Sequence, residues 1–217
     1  MKTNDDMARQ MAAFLLQIKA VKLNNENPFT WASGRKSPIY CDNRITLSYP
    51  EIRTFIRQSF VNVINEAWGE VDVIAGVATG GIAQGALVAQ EMGKPFAYVR
   101  SEAKSHGLTN QIEGEVHEGQ SVVVIEDLVS TGKSSLIAVH ALRDKGCKVK
   151  GMAAIFTYGL EVAAKNFSDA DVELRTLTNY DTLVEVACQE EYIRAAEQDS
   201  LAKWRLNPEA WSDAHMK

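Results

Sequence analysis

The sequence has few cysteines and contains no long apolar segment. No run of apolar residues approaches the roughly 18 residues that a membrane-spanning helix needs, and the polar start, Met1 to Asp6, does not resemble a signal peptide. The three cysteines, Cys41, Cys147 and Cys188, are widely spaced and lack the rhythm of metal ligands. We therefore expect reduced thiols in a cytoplasmic protein that does not bind a membrane.

Positive charge is also scarce. The chain has 23 Lys and Arg against 28 Asp and Glu, which gives a net charge of −5. This balance argues against a nucleic-acid surface, so any anionic ligand must be bound by a few localised cations. The 217 residues, of which 46% are hydrophobic, suffice for one sizeable core. We therefore expect a single domain over residues 1–217.

Helix and strand patterns alternate along the chain, without repeats or linkers. Two amphipathic helices come first, one from Met7 to Val21 and one that begins near Pro50. Strands are then predicted at 71–77, 95–99, 121–126, 149–157 and 172–177, and helices at about 80–92, 132–145, 159–167 and 180–187. This order predicts an α/β fold with a doubly wound, mostly parallel sheet and right-handed crossovers.

The most informative segment runs from Val122 to Ser135. An uninterrupted apolar strand pattern ends in Glu126 and Asp127, followed by a loop of small residues. Ligands of open α/β sheets gather beyond the carboxyl ends of such strands, where carboxylates accept hydrogen bonds from hydroxyls and a helix start binds phosphate. A sugar-phosphate site is therefore indicated. The simpler alternative is a helix-capping acid. A P-loop is excluded, because Asp127 occupies the position of its first glycine.

Three segments carry a family resemblance. The run from Val122 to Gly132 resembles the phosphoribosyl diphosphate (PRPP) loop of the type I phosphoribosyltransferases, and 29–44 and 100–107 resemble signatures of the orotate phosphoribosyltransferases. The resemblance spans residues 23 to 160. It implies transfer of ribose 5-phosphate from PRPP to N1 of orotate, which gives orotidine 5′-phosphate and diphosphate in UMP biosynthesis. It also implies a core of about 51–190, a small hood subdomain from 1–50 plus the C-terminal helices, and a homodimer.

The same resemblance implies roles for residues at three places. Glu126 and Asp127 would hold the ribose hydroxyls or order metal-bound water, and Tyr40 and Cys41 would bind the pyrimidine. The 5-phosphate would lie on the loop formed by Leu128, Val129, Ser130, Thr131, Gly132, Lys133 and Ser134. Because adjacent strand residues point to opposite faces, the two carboxyl groups are not expected to share a proton unless the chain has turned. Mg²⁺ would enter mainly through PRPP, without a protein metal site.

The diphosphate end of the site is predicted from two further loops. Glycines around Thr79 and Gly80 follow an apolar strand and permit close backbone approach to an oxyanion, although they would also suit tight strand-to-helix packing. Arg100, Lys104 and His106 follow the next strand and lead into a polar stretch that ends at residue 114. We predict a mobile loop whose cations, Lys104 above all, stabilise the departing diphosphate. In the enzymes that the chain resembles, this loop reaches across a dimer interface into the partner's active site. The alternative is a solvated loop with scattered charge.

The chain departs from the family pattern at several positions. Some members have Lys where this chain has Ala32, Ser101 or Gly80, and Arg where it has Tyr158. These cations are absent here, and because orotate is an anion, its carboxylate needs another partner. Arg44 is the nearest candidate, although this arginine could instead pair only with Asp42.

Two other functions remain open at this point. A transferase for a purine or for uracil should lack the 29–44 signature. A PRPP-sensing regulator should carry a basic DNA-binding domain, which the acidic balance disfavours.

Overall fold

The computed structural model describes residues 5–31, 33–101 and 111–216. The strands are β1 (Val21–Leu23), β2 (Phe29–Thr30), β3 (Lys36–Ser37), β4 (Ile39–Cys41), β5 (Val73–Val77), β6 (Phe96–Val99), β7 (Ile112–Glu113), β8 (Ser121–Val129), β9 (Lys148–Thr157) and β10 (Leu174–Asn179). The helices are α1 (Asp5–Gln17), α2 (Pro50–Ala67), α3 (Gly80–Met92), α4 (Lys133–Asp144), α5 (Glu161–Asp169), α6 (Tyr180–Gln189), α7 (Gln198–Leu206) and α8 (Pro208–Ala214), with short 3-10 helices at Asn43–Ser48 and Ala195–Glu197.

A six-stranded sheet forms the centre of the fold, with strand order β10-β9-β8-β5-β6-β7. All neighbouring strands are parallel except β7, which pairs antiparallel with β6. Helices cover both faces. The side chains of Val123 and Ile125 pack in the cluster that includes α1, α2, α3 and α6, whereas those of Val122 and Val124 pack in the cluster with α4 and α5. The predicted α/β class with a doubly wound, mostly parallel sheet is confirmed.

Several element bounds differ from the predictions: the first helix ends at Gln17, so that Val21 begins β1, and β10 covers Leu174–Asn179 rather than 172–177. Two further differences concern β8 and β7. Strand β8 does not end at Glu126 but runs to Val129, because β9 continues beside it and pairs Leu128 with Phe156. The end of the polar stretch after β6 is also not loop. Ile112 of β7 is 4% exposed and lies opposite Val99 of β6. A single buried isoleucine between polar neighbours is thus enough for a short edge strand.

Two small antiparallel sheets lie outside the central sheet, one of β1 with β4 and one of β2 with β3. The C-terminal helices contact this region, since the backbone N–H of Lys36 donates to Ser212 Oγ of α8 at 2.9 Å. These are the segments for which we predicted a hood. Within the described part of the chain, no helix is both long and apolar enough to cross a membrane.

Candidate active site

A cavity of about 310 Å³ opens where the loops after β5 and β8 meet. Both strands point the same way in the sheet, so their carboxyl ends lie at one edge, as expected for a ligand site in this class of fold. Most of the residues predicted to bind PRPP line this cavity, together with Val77 and Ala78: Thr79, Gly80, Glu126, Asp127, Leu128, Ser130, Thr131, Gly132 and Ser134.

The loop after β5 packs closely against its surroundings. A Cβ at Gly76 would lie 2.7 Å from the carbonyl oxygen of Gly81, and one at Gly81 would lie 2.3 Å from that of Ile125. A Cβ at Gly80 would lie 2.2 Å from the carboxyl carbon of Asp127. Gly76 and Gly81 therefore serve tight strand-to-helix packing, whereas Gly80 brings the start of α3 against an acidic side chain. The peptide bond between Ala78 and Thr79 is cis.

The two acids of β8 have different surroundings. Glu126 is buried, and its carboxylate accepts hydrogen bonds from Ser135 Oγ at 2.8 Å and from the backbone N–H of Asp127 at 3.0 Å. Burial raises the pKa of Glu126 well above its usual value, and the charge of Asp127 and a hydrogen bond with its side chain raise this pKa further. The two carboxyl groups are thus close neighbours, although both residues belong to β8 and this strand continues to Val129.

The loop from β8 to α4 is held from outside by α5. Asn166 donates from Nδ2 to the carbonyl of Thr131 at 2.9 Å, and Gly132 adopts φ of 78° directly before α4. The backbone N–H groups at the start of this helix are suited to an anion. Val129 is buried in the apolar core, and the carbonyl of this residue accepts from Thr157 Oγ1. Lys133 begins α4 and is exposed.

The cations predicted beyond β6 are only partly described. Arg100 lies at the end of this strand, 3.7 Å from a carboxylate oxygen of Glu113 on the edge strand β7. Lys104 and His106 lie outside the described residues.

The predicted base-binding residues lie on and after β4. Tyr40 is 40% exposed, and Cys41 is half-buried with its pKa raised by burial and by the negative charges of Asp127 and Asp42. The thiol is therefore neutral and close to Asp127 of β8. Arg44 is exposed and forms a two-pronged ion pair with Asp42, with distances of 2.7 and 2.9 Å.

Several residues near the site had no assigned function in the sequence. Asn43 is buried and donates from Nδ2 to the carbonyl of Asp127 at 2.6 Å, across 84 positions of sequence. Ser135 binds Glu126. Neither has a local signal, because the partner is distant or a polar residue at a helix start looks like ordinary capping.

An aromatic cluster adjoins β4. The ring of Tyr158, which follows β9, lies 5.7 Å from that of Trp31 and 5.5 Å from that of Trp204 of α7. The indole Nε1 of Trp31 donates to the carbonyl of Ile39 in β4 at 3.1 Å. Burial raises the pKa of Tyr158 well above its usual value, and the charge of Asp127 adds to this effect, so its phenol is neutral. The tryptophans are too far apart in the sequence for a pattern to indicate this cluster.

The described residues offer few protein ligands for a metal ion. Among residues 5–31, 33–101 and 111–216, no three His, Cys, Asp or Glu side chains come together as a metal-binding group. Glu126 and Asp127 provide two carboxylates at the cavity.

Known proteins resemble this chain over most of its length. The phosphoribosyl transferase domain family matches residues 46–191. The orotate phosphoribosyltransferase of Porphyromonas gingivalis is 54% identical over 205 residues, which cover 94% of this chain and 98% of that protein. The crystal structure of orotate phosphoribosyltransferase from Aeropyrum pernix has a TM-score of 0.73 at 30% identity and covers 84% of this chain and 99% of its own. Leishmania donovani UMP synthase has a TM-score of 0.77 at 26% identity, over 91% of this chain and 42% of the larger protein.

Proposed function

This chain belongs to the phosphoribosyltransferase family and, within it, to the orotate phosphoribosyltransferases, and on that premise we propose its reaction. It transfers ribose 5-phosphate from PRPP to N1 of orotate, giving orotidine 5′-phosphate and diphosphate in the de novo synthesis of UMP. The observation that carries this proposal is the cavity of about 310 Å³ where the loops after β5 and β8 meet.

In this proposal the loop from β8 to α4 binds the 5-phosphate of PRPP. The helix start and the loop backbone offer N–H groups, and a helix N-terminus carries partial positive charge, so a phosphate is stabilised without a dense cluster of cations. Asn166 of α5 holds this loop through its hydrogen bond to the carbonyl of Thr131. The net charge of −5 makes such a backbone site more suitable than a general basic surface.

Asp127 and Glu126 act on the ribose. The carboxylate of Asp127 is partly exposed at the cavity and can accept hydrogen bonds from ribose hydroxyls, which become stronger when the acceptor is ionised. Glu126 is buried and its raised pKa favours the protonated form, so it can both donate and accept within the site. Ser135 fixes its orientation through the 2.8 Å hydrogen bond.

The diphosphate leaves between the loop after β5 and the loop after β6. Backbone groups at Thr79 and Gly80 approach its oxygens, and Arg100, Lys104 and His106 offset the negative charge that grows on it in the transition state. Arg100 is oriented by Glu113 of β7. Excluding water at this step prevents capture of the electron-poor ribose carbon.

Magnesium fits the donor set of this site. Oxygen donors beside a phosphate-binding loop suit a hard cation that keeps several waters and takes substrate oxygens as its other ligands. When bound, Mg²⁺ offsets the charge of the diphosphate. Glu126 and Asp127 are the residues that would hold water molecules of its shell.

Orotate lies against β4 in this proposal. Backbone groups around Tyr40 and Cys41 read the edge of the pyrimidine, and Arg44 pairs with its carboxylate in exchange for Asp42. The segments outside the central sheet, residues 1–50 and the C-terminal helices, form the hood over the base. Two chains form a homodimer in the cytoplasm, and the loop after β6 serves the partner's site.

The decisive experiment offers four bases to one protein. Purified wild-type chain with PRPP and Mg²⁺ is given orotate, uracil, hypoxanthine and adenine in parallel, and nucleotide and diphosphate are quantified. We expect product with orotate alone. The matched control is Asp127→Asn, which keeps the size of the side chain but removes its charge, and which should lower kcat/KM without unfolding the sheet. Turnover of another base in preference to orotate contradicts the proposed substrate, and unchanged kinetics of Asp127→Asn contradict the ribose-binding role.

A further inference from the structure

Asn43 connects the base side of the site to the ribose side. It begins the 3-10 helix Asn43–Ser48, two residues after Cys41 of β4, and its side chain is only 2% exposed. The amide Nδ2 donates to the backbone carbonyl of Asp127 at 2.6 Å, and Oδ1 accepts from Cys41 Sγ at 3.3 Å. One amide thus joins β4 to the acid that lines the cavity.

A second bond ties the same residue to the diphosphate side. The hydroxyl of Thr46 donates to the carbonyl of Asn43 at 2.6 Å and accepts from Gln84 Nε2 of α3 at 3.4 Å. Thr46 is fully buried and Gln84 is 2% exposed. Gln84 lies one turn after Gly80, against which the carboxylate of Asp127 packs. A chain of hydrogen bonds, buried at Thr46 and Gln84 and partly buried at Asp127, therefore links β4, β8 and α3.

Loss of this connection should cost free energy. A partly buried carbonyl that loses its donor keeps part of its desolvation cost, and that cost falls on the backbone of Asp127 itself. A displacement of the acid by about 1 Å at a reacting centre can lower the rate by roughly 100-fold.

We propose that Asn43 is a positioning residue for the transfer reaction, which holds the backbone of Asp127 in register with strand β4. The inference rests on the proposed function, since the two ligands that it aligns are PRPP and orotate. Asn43 does not touch either reacting atom. It sets the distance between the groups that hold the ribose and the strand that holds the base.

The test uses Asn43→Asp, whose donor can be switched by pH. An ionised aspartate has no donor and faces the carbonyl of Asp127, whereas a protonated one donates from its O–H group. Burial beside Asp127 raises the pKa of such a carboxyl, so it should regain its proton in mildly acidic buffer. The titratable and charged groups nearby are Cys41, Asp42 and Arg44 on the same segment and Asp127 on β8.

Activity relative to wild type is measured from about pH 8 to about pH 5.5, a range set by the raised pKa of a buried carboxyl. We expect Asn43→Asp to lose about 10-fold to 100-fold in kcat/KM at the upper end and to recover most of it at the lower end. Asn43→Ala, which has no donor, should show the loss at every pH. The loss should appear mainly in kcat, because the acid is misplaced rather than removed.

Asn166→Asp is the matched comparison, since Asn166 also donates to a backbone carbonyl of this loop but at its phosphate end. It should raise the KM for PRPP and leave that for orotate unchanged. Thermal denaturation of each variant checks folding. If Asn43→Ala does not fold, Thr46→Val removes both hydrogen bonds of the Thr46 hydroxyl, and it should lower kcat as well as the melting temperature, because the carbonyl of Asn43 and Nε2 of Gln84 lose a buried partner. Thr46→Ser, which keeps the hydroxyl, should retain most of the wild-type kcat.

The possible results separate this inference from the proposed function. The positioning role is supported if the kcat/KM of Asn43→Asp recovers at low pH while that of Asn43→Ala stays low at every pH. Variants at position 43 with wild-type kcat, or an Asn43→Asp profile parallel to wild type throughout, overturn it while the proposed function stands. Wild-type protein without orotate turnover refutes the proposed function first, and the role of Asn43 with it.

Discussion

Replacing Gly80 with alanine should impair catalysis while leaving the fold intact. The added methyl carbon would lie 2.2 Å from the carboxyl carbon of Asp127, and non-bonded carbon atoms stay about 3.5 Å or more apart. The carboxylate must therefore move by more than about 1 Å, since the helix start at Gly80 is anchored by the packing of Gly81 against β8. A misplacement of about 1 Å at a reacting centre can reduce the rate by roughly 100-fold. Stability should change by less than about 1 kcal/mol, because alanine is favourable at a helix start.

The assay is steady-state turnover of PRPP and orotate, combined with urea denaturation. The neighbouring Gly81→Ala is the matched control, because its methyl group would lie 2.3 Å from the backbone carbonyl of Ile125, which cannot rotate away. It should cost about 1 to 3 kcal/mol of stability. A double-mutant cycle then tests the cause: in an Asp127→Ala background no carboxylate remains to be displaced, so Gly80→Ala should have little further effect. Near-wild-type turnover of Gly80→Ala, or an equal loss in both backgrounds, would refute the reasoning.

Three further predictions concern single side chains. Lys104→Ala should lower kcat by about 100-fold or more with little change in PRPP binding, because the cation acts on charge that grows in the transition state. Wild-type turnover of this variant would remove Lys104 from the mechanism. Mixing Lys104→Ala chains with Asp127→Asn chains should restore activity if the loops serve the partner's site. Glu126→Gln should become more stable relative to wild type as the pH rises. Because the pKa of Glu126 is raised in the folded protein, its stabilising contribution is complete below its unfolded pKa and is lost as the pH rises through the folded pKa. Urea denaturation at pH 5 and pH 8 measures this, and a pH-independent difference contradicts it. Arg44→Ala should raise the KM for orotate by about 10-fold with that for PRPP unchanged, whereas the control Asp42→Asn, which frees Arg44, should not; native orotate affinity and selectivity in Arg44→Ala would point to the backbone at Tyr40 and Cys41.

The sequence predicted the central sheet well because its strands carry strong local patterns. The uninterrupted apolar run from Val122 to Ile125 and the glycines after Val77 each indicate a buried strand and a close turn, and both loops lie at the same edge of the sheet in the structure. The end of β8 was placed three residues early, because pairing with β9 extends the strand past the point where its apolar pattern stops. Ile112 gave too short a signal for β7 to be predicted.

The contacts that support the site were less predictable. Asn43 and Asp127 are 84 positions apart, and the asparagine sits among polar residues that read as an ordinary turn. Strand alternation also argued against a proton shared between Glu126 and Asp127, yet the side chain of Asp127 lies close enough to form a hydrogen bond with Glu126. The roles of the substrate-binding residues, including Lys104 and His106, stay predictions. Interactions between distant segments depend on packing, which a single sequence does not display.

The sheet order has a consequence for the synthesis of the chain on the ribosome. Strand β8 lies beside β5, yet the two are separated in sequence by β6 and β7, so the halves of the cavity are made at different times. The nascent chain carries the loop at Thr79 well before Asp127 has been added. The loop at Thr79 therefore has no contact with Asp127 until β8 has been synthesised, and neither loop alone can form the pocket. The cavity can form only after β8 has paired with β5, because contacts of high sequence separation form late.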